Sequence, residues 1–225
     1  RRTRETGPAC ARETPGPSPW SARVQHEDCE TPLLSFVSAG YLFFLAGWPV
    51  IWIALGSALC AFAYTGGPMP LAYVGLGDLF VVVFFGVVAV CGTYYVQALT
   101  LTPGVVLASL PVGLMATAIL VVNNLRDRHT DAQASKRTLV VRFGQRFGRW
   151  EYTLLVLISY AIPLGAWLTG IAGAGWLLSW LSLPLAVAYI RQVHRTEGAA
   201  LNPLLGCTAR LGMIYGAFLS VGAVL

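Results

Sequence analysis

Between Thr31 and Leu125 the sequence carries a single formally charged residue, Asp78. Arg126, Asp127, Arg128, Asp131, Lys136, Arg137, Arg142, Arg146 and Arg149 then arrive almost together. A chain that excludes charge over so long a stretch is built for lipid, because a charged side chain at the centre of a bilayer is costly. The expected fold class is therefore all-α, a polytopic transmembrane helical bundle. The mixed acidic and basic loop is where chemistry is expected.

The rest of the composition agrees. Hydrophobic residues make up 56% of the chain and charged residues 11%, well below the quarter or so usual in soluble proteins. The apolar runs are continuous, not alternating, which disfavours a β-barrel. The formal charge of +5 lies beside membrane spans, so it reads as topogenic charge and no nucleic-acid partner is expected. Cys10, Cys29, Cys60, Cys91 and Cys207 show no metal-binding spacing and read as small apolar residues.

Residues 1–32 are rich in Arg, Glu, Pro and Thr without a sustained apolar run. They read as a disordered or unrelated segment, with no secretory signal. The membrane domain is expected over 33–225, with spans near 33–47, 49–64, 79–100, 103–124, 151–171, 174–192 and 207–225. Gly47-Trp48-Pro49 separates the first two as a turn or kinks one longer span. This order puts 65–78, 125–150 and 193–206 on one side, with Arg191 and Arg195 close by. The opposite connections carry no Lys or Arg, so the charged loop 125–150 is expected in the cytoplasm.

Asp127 and Asp131 share one helical face if span 103–124 continues into the loop. Like charges at that spacing repel by a few tenths of a kcal/mol, and a divalent cation reverses the sign. Mg²⁺ takes oxygen ligands and is commonly held by one or two carboxylates together with substrate phosphates. Asn123 and Asn124 add amide oxygens; Lys136, Arg137 and Arg126 supply cations for phosphate oxygens. On spacing alone, a solvated loop that merely anchors the topology explains these residues as well. A transporter would carry ionisable residues near span centres instead.

The run Asn-Asn-Leu-Arg-Asp-x-x-x-Asp-x-x-x-Ser-Lys-Arg-Thr-Leu-Val-Val-Arg-Phe-Gly, from Asn123, resembles the second aspartate-rich motif of the UbiA superfamily of intramembrane prenyltransferases. The likeness is greatest to its MenA branch, the 1,4-dihydroxy-2-naphthoate polyprenyltransferases. That branch commonly has Gly where Ser135 stands. The similarity extends from about residue 33 to the end. It takes in Tyr64-Thr65-Gly66-Gly67-Pro68, Leu76-Gly77-Asp78, Tyr94-Tyr95-Val96-Gln97 and Asn202-Pro203-Leu204-Leu205.

The resemblance implies Mg²⁺ as cofactor, polyprenyl diphosphate and 1,4-dihydroxy-2-naphthoate as substrates, and transfer with decarboxylation to demethylmenaquinone. It implies Asp127 and Asp131 as metal ligands with Asn124, and Lys136 and Arg137 as diphosphate contacts. Tyr64, Thr65, Asp78, Tyr95 and Gln97 become substrate-site candidates beside Asn123 and Arg126, in a bacterial plasma membrane. Alternative roles are an interfacial turn for Tyr64 and Thr65, dipole pairing for Asp78, and helix packing for Tyr95 and Gln97. His129 is not required by the motif, and His194 belongs to the interface.

Members of the superfamily have nine helices and a first aspartate-rich motif after the second helix. The expectation is that this sequence corresponds to the last seven helices. The alternative functional reading is then an inactive truncated remnant, and a second alternative is another aromatic acceptor.

Overall fold

The computed structural model describes residues 37–65, 73 and 75–225; the expected segment 1–32 lies outside them, as does Gly66-Gly67-Pro68. The described residues are all-helical: α1 Val37–Ala46, α2 Trp48–Thr65, α3 Gly77–Ala98, α4 Pro103–Gln133, α5 Leu139–Phe143, α6 Gln145–Leu168, α7 Ala174–Arg195 and α8 Gly198–Val224. Of these, α3, α4, α6, α7 and α8 are long and apolar enough to cross a membrane, whereas α1 and α2 are shorter apolar helices. The chain is a multi-pass membrane protein.

Local sequence explains the boundaries. Gly47 adopts φ +71°, a left-handed conformation that Gly reaches without strain, and Pro49 follows at the start of α2. This interrupts the first apolar stretch as Gly47-Trp48-Pro49 suggests. Pro103 opens α4 while the Thr102 hydroxyl accepts a hydrogen bond from Val105 N–H at 3.3 Å, capping it. Two helix starts differ most from the sequence expectation. The helix α6 begins at Gln145, not 151, and α8 is entered at Gly198, not 207. At α6 the polar Gln145, Arg146 and Arg149 lie before the apolar window yet continue the helix, and at α8 the turn Gly198–Leu201 runs into Asn202-Pro203, with Pro in the first helical turn.

Helix α4 is the axis of the bundle. Its Ala118, Val121 and Val122 are fully buried among Tyr152 and Val156 of α6 and Leu204, Leu211 and Tyr215 of α8. Since lipid is as apolar as these side chains, close packing and hydrogen bonds must hold the helices together. Tyr215 Oη donates to Ser159 O at 2.6 Å, Tyr160 Oη lies 2.7 Å from Ser182 Oγ, and Tyr152 Oη lies 3.2 Å from Thr208 Oγ1. Helices α3 and α4 touch backbone to backbone, and a Cβ on Gly86 would lie 2.9 Å from the Gly113 Cα.

Helix α3 is wound as a π-helix over Val82–Cys91. An open apolar groove of about 590 Å³ separates it from α2, lined by Ser57, Ala61, Phe80, Phe84 and Ala89 among others. The outer faces of α1 and α2 expose Phe44, Trp52, Leu59 and Phe62, as lipid-facing surfaces do.

Candidate active site at the polar end of α4

With 31 residues, α4 is about 46 Å long, whereas the hydrocarbon layer is roughly 30 Å thick. Its first twenty residues are almost wholly apolar, and the remainder, from Asn123, emerges as a polar stub. Asn124, Asp127 and Asp131 are spaced i, i+3, i+7 and fall on one stripe of that stub. The continuation of the helix into the charged segment places both aspartates on one face.

The two carboxylates are held differently. Asp127 accepts both arms of the Arg126 guanidinium: Nε donates to Oδ1 at 2.7 Å, and Nη2 donates to Oδ2. The same guanidinium reaches Asn123 Oδ1 at 2.7 Å and Asn202 Oδ1 at 3.0 Å. Arg126 thus ties α4 to the start of α8 through its planar fork of donors. Asp131 pairs with Lys136 instead, whose Nζ lies 3.2 and 3.3 Å from its two oxygens.

Backbone geometry delivers Lys136 to Asp131. After Ala134 the chain turns through Ser135 at φ +58°; Ser135 N–H donates to Ala132 O at 3.2 Å and Lys136 N–H to Asp131 O at 2.9 Å. These paired bonds are a Schellman motif, which requires a left-handed residue at its hinge and usually has Gly there. The Gly common at this position in the family motif is thereby explained, and Ser135 occupies it at a cost. The chain then enters α5, whose cap is the Thr138 hydroxyl accepting from Val141 N–H at 3.3 Å.

Beneath Lys136 is a narrow crevice with about 10 Å³ of free space, lined by Tyr64, Asp78, Asn124, Lys136 and Thr138 among others. Asn124 is 2% exposed and Asp78 7% exposed, yet Asn124 Oδ1 and Asp78 Oδ1 accept no hydrogen bond from any described residue. Glu151 Oε2 on α6 is likewise buried without a partner. Such acceptors are expensive to bury unless something positive meets them. Tyr64 also borders the apolar groove and stacks on Phe80, which stacks on Phe84. One residue therefore stands at the junction of a polar crevice and an apolar channel.

The remaining predicted residues divide. Arg137 is exposed and its backbone N–H donates to Tyr73 O at 2.8 Å, beside the crevice. Thr65 closes α2 next to Tyr64. Tyr95 and Gln97 sit at the other end of α3, four to five turns from Asp78, where they border apolar cavities. They are not brought to the polar cluster. His129 is exposed beside Arg128, while His194 Nε2 lies 2.9 Å from Thr153 Oγ1. Cys91 is buried and Cys60 and Cys207 are half-buried, all as free thiols; Cys10 and Cys29 lie outside the described residues. Sequence reasoning missed Asn202 and Glu151 as members of the site. The signals available were an Asn-Pro pair opening a helix and a lone acid at the edge of an apolar run.

Among the described residues no three His, Cys, Asp or Glu side chains converge into a metal cage. The stripe instead offers two carboxylates and the unpartnered amide oxygen of Asn124. This set of hard oxygens suits a small divalent cation that keeps waters and shares a phosphate-bearing substrate.

The family model described as "UbiA prenyltransferase family" matches residues 32–214. The chain is 39% identical over 172 residues to the 1,4-dihydroxy-2-naphthoate octaprenyltransferase of Escherichia coli (strain K12), covering 73% of this chain and 56% of that one. It is 32% identical over 194 residues to the enzyme of the same name from Haemophilus influenzae, covering 85% and 61%. It is 33% identical over 196 residues to UbiA prenyltransferase domain-containing protein 1 of Mus musculus, covering 85% and 56%. The matches span between half and two thirds of these relatives' length. A family match across most of the sequence, on helices that bring its aspartates to one polar face, makes the chain a member of the UbiA prenyltransferase family.

Proposed function

We propose that this chain takes part in transferring a polyprenyl group from polyprenyl diphosphate to 1,4-dihydroxy-2-naphthoate. Carbon dioxide is lost and the ring is released as the hydroquinone demethylmenaquinol, the reduced form of demethylmenaquinone. The observation that carries the reading is the position of Tyr64. It joins a polar crevice lined by Asp78, Asn124 and Lys136 to an apolar groove large enough for isoprene units. A molecule with a polyanionic diphosphate head and a long hydrocarbon tail matches both halves. The relatives' names support the aromatic acceptor.

Asp127, Asp131 and Asn124 Oδ1 are the residues that would hold Mg²⁺. When bound, Mg²⁺ supplies positive charge to the diphosphate as the allylic C–O bond breaks. Lys136, Arg137 and Arg126 donate N–H groups to the departing oxygens, which take the electron pair. Asn202 fixes the Arg126 fork, and the Tyr64–Phe80–Phe84 stack walls the entrance to the groove. The ring carbon bearing the carboxylate forms the new C–C bond, and the carboxylate leaves as carbon dioxide. The Lys and Arg residues at this end favour a plasma-membrane orientation with residues 125–150 in the cytoplasm.

Transfer would be measured in membranes carrying this chain, with and without Mg²⁺, beside Asp127→Ala and Asp131→Ala. The expected product requires Mg²⁺ and falls by at least about a hundredfold in each variant, the scale of a lost electrostatic contact in a transition state. Undiminished product in both variants would remove the site assignment. Absence of transfer by the inserted chain would overturn the proposed activity.

A further inference from the structure

Lys136 has one acceptor in use and a second set of acceptors beside it without a cation. Its ammonium pairs with Asp131 at 3.2 Å, while its side chain lines a crevice with Asp78 and Asn124, each of which carries a buried oxygen without a hydrogen bond. Those two oxygens come from different helices, α3 and α4, and both are more than nine-tenths buried. Glu151, half-buried with its Oε2 buried and unpartnered, lies within electrostatic reach of Asp78. The crevice has space for a single small cationic group and not for a substrate ring. The Schellman turn pins the Lys136 backbone to Asp131 O, so an exchange between these sites would proceed by rotation of the side chain.

We propose that Lys136 has two seats, Asp131 in the metal-free protein and the buried Asp78 carboxylate once a divalent cation occupies Asp131 and Asn124. This rests on the reading that Asp131 is a metal ligand. In the first seat the lysine neutralises a carboxylate that would otherwise repel Asp127. In the second it satisfies the buried Asp78 oxygen and leaves Asp131 free to bind the ion. Asp78 then acts as a positioning residue: it favours metal binding without touching the metal, by giving the displaced ammonium somewhere to go. Lys136 leaves the Asp131 carboxylate without leaving the site, where it remains available to anionic oxygens.

The test uses Mn²⁺ as the probe, its binding followed by the loss of its free-ion electron paramagnetic resonance signal on titration with the full chain in nanodiscs. Asp78→Asn is expected to weaken Mn²⁺ binding roughly tenfold, the size of one lost hydrogen bond to a charged group. Lys136→Met removes the competitor, and in that background Asp78→Asn is expected to change binding by less than about twofold, the tolerance of a double-mutant cycle. Asp78→Ser, which has no carboxylate, carries the same pair of expectations should the Asn variant fold poorly. A similar loss in both backgrounds would identify Asp78 as a direct metal ligand and overturn the exchange. No loss in either background would overturn it as well. Mn²⁺ binding that is indifferent to Asp131→Ala would instead refute the metal-site reading on which the exchange rests.

Discussion

Ser135→Gly is expected to stabilise the protein, and the amount follows from one dihedral angle. Ser135 sits at φ +58° as the hinge of the turn that ends α4. An L residue in the left-handed conformation costs about 1–2 kcal/mol through crowding of its Cβ against the following carbonyl. Glycine removes that cost but gives back about 0.4–1 kcal/mol because its unfolded chain is freer. The net gain is about 0.5–1 kcal/mol, which for a chain of this size raises the melting temperature by roughly 1–4 °C. The assay is thermal unfolding in detergent micelles followed by far-ultraviolet circular dichroism. Ala134→Gly serves as the paired control. Ala134 has an ordinary φ of −80°, so glycine there should cost about 0.5–1 kcal/mol. Opposite shifts at adjacent positions would establish that backbone handedness sets the effect. If Ser135→Gly lowers the melting temperature, or if the two variants shift together, the reasoning fails.

The helix contacts make further predictions. Gly113→Ala places a Cβ 2.5 Å from Val82 O and should lower stability in detergent by about 1–3 kcal/mol, the usual cost of overpacking. Gly165→Ala meets nothing within 4 Å and should leave melting unchanged or raise it slightly, so the pair separates crowding from helix propensity. Tyr215→Phe loses the 2.6 Å bond to Ser159 O; a loss of about 1 kcal/mol is expected in the same melting assay.

Much of the fold was legible because lipid allows so few solutions. The charge-poor stretch, the Gly47–Pro49 break and the Thr102-Pro103 start each translate into one local rule. The emergence of Asp127 and Asp131 on one stripe followed from continuing an apolar helix into its polar end. Less legible were events that depend on two elements meeting. Hydropathy marks where apolar residues stop, not where hydrogen bonding does, so the starts of α6 and α8 were placed too late. Asn202 joins the site only because α8 returns beside α4. Lys136 reaches Asp131 because Ser135 accepts an unfavourable backbone angle, a choice that composition does not reveal. Tyr95 and Gln97 share α3 with Asp78, but helix length carries them to the opposite end. Polarity within a span indicated a cavity without indicating which one.

The unusual winding of α3 affects the shape of the groove beside it. Residues facing the cavities recur in pairs four apart: Phe80 and Val81, Phe84 and Phe85, Val88 and Ala89, then Gly92 and Thr93, and Val96 and Gln97. On an α-helix, at 3.6 residues per turn, each step of four advances about 40° around the axis, so such a stripe would spiral away from α2. The wider turn of a π-helix drifts the opposite way. With Val82–Cys91 wound in that form between α-helical ends, the two drifts offset and the stripe runs nearly parallel to the axis. A helix of ordinary pitch would present a curved thread. This one presents a straight rail from the polar end into the membrane, along which an extended hydrocarbon chain can lie without coiling.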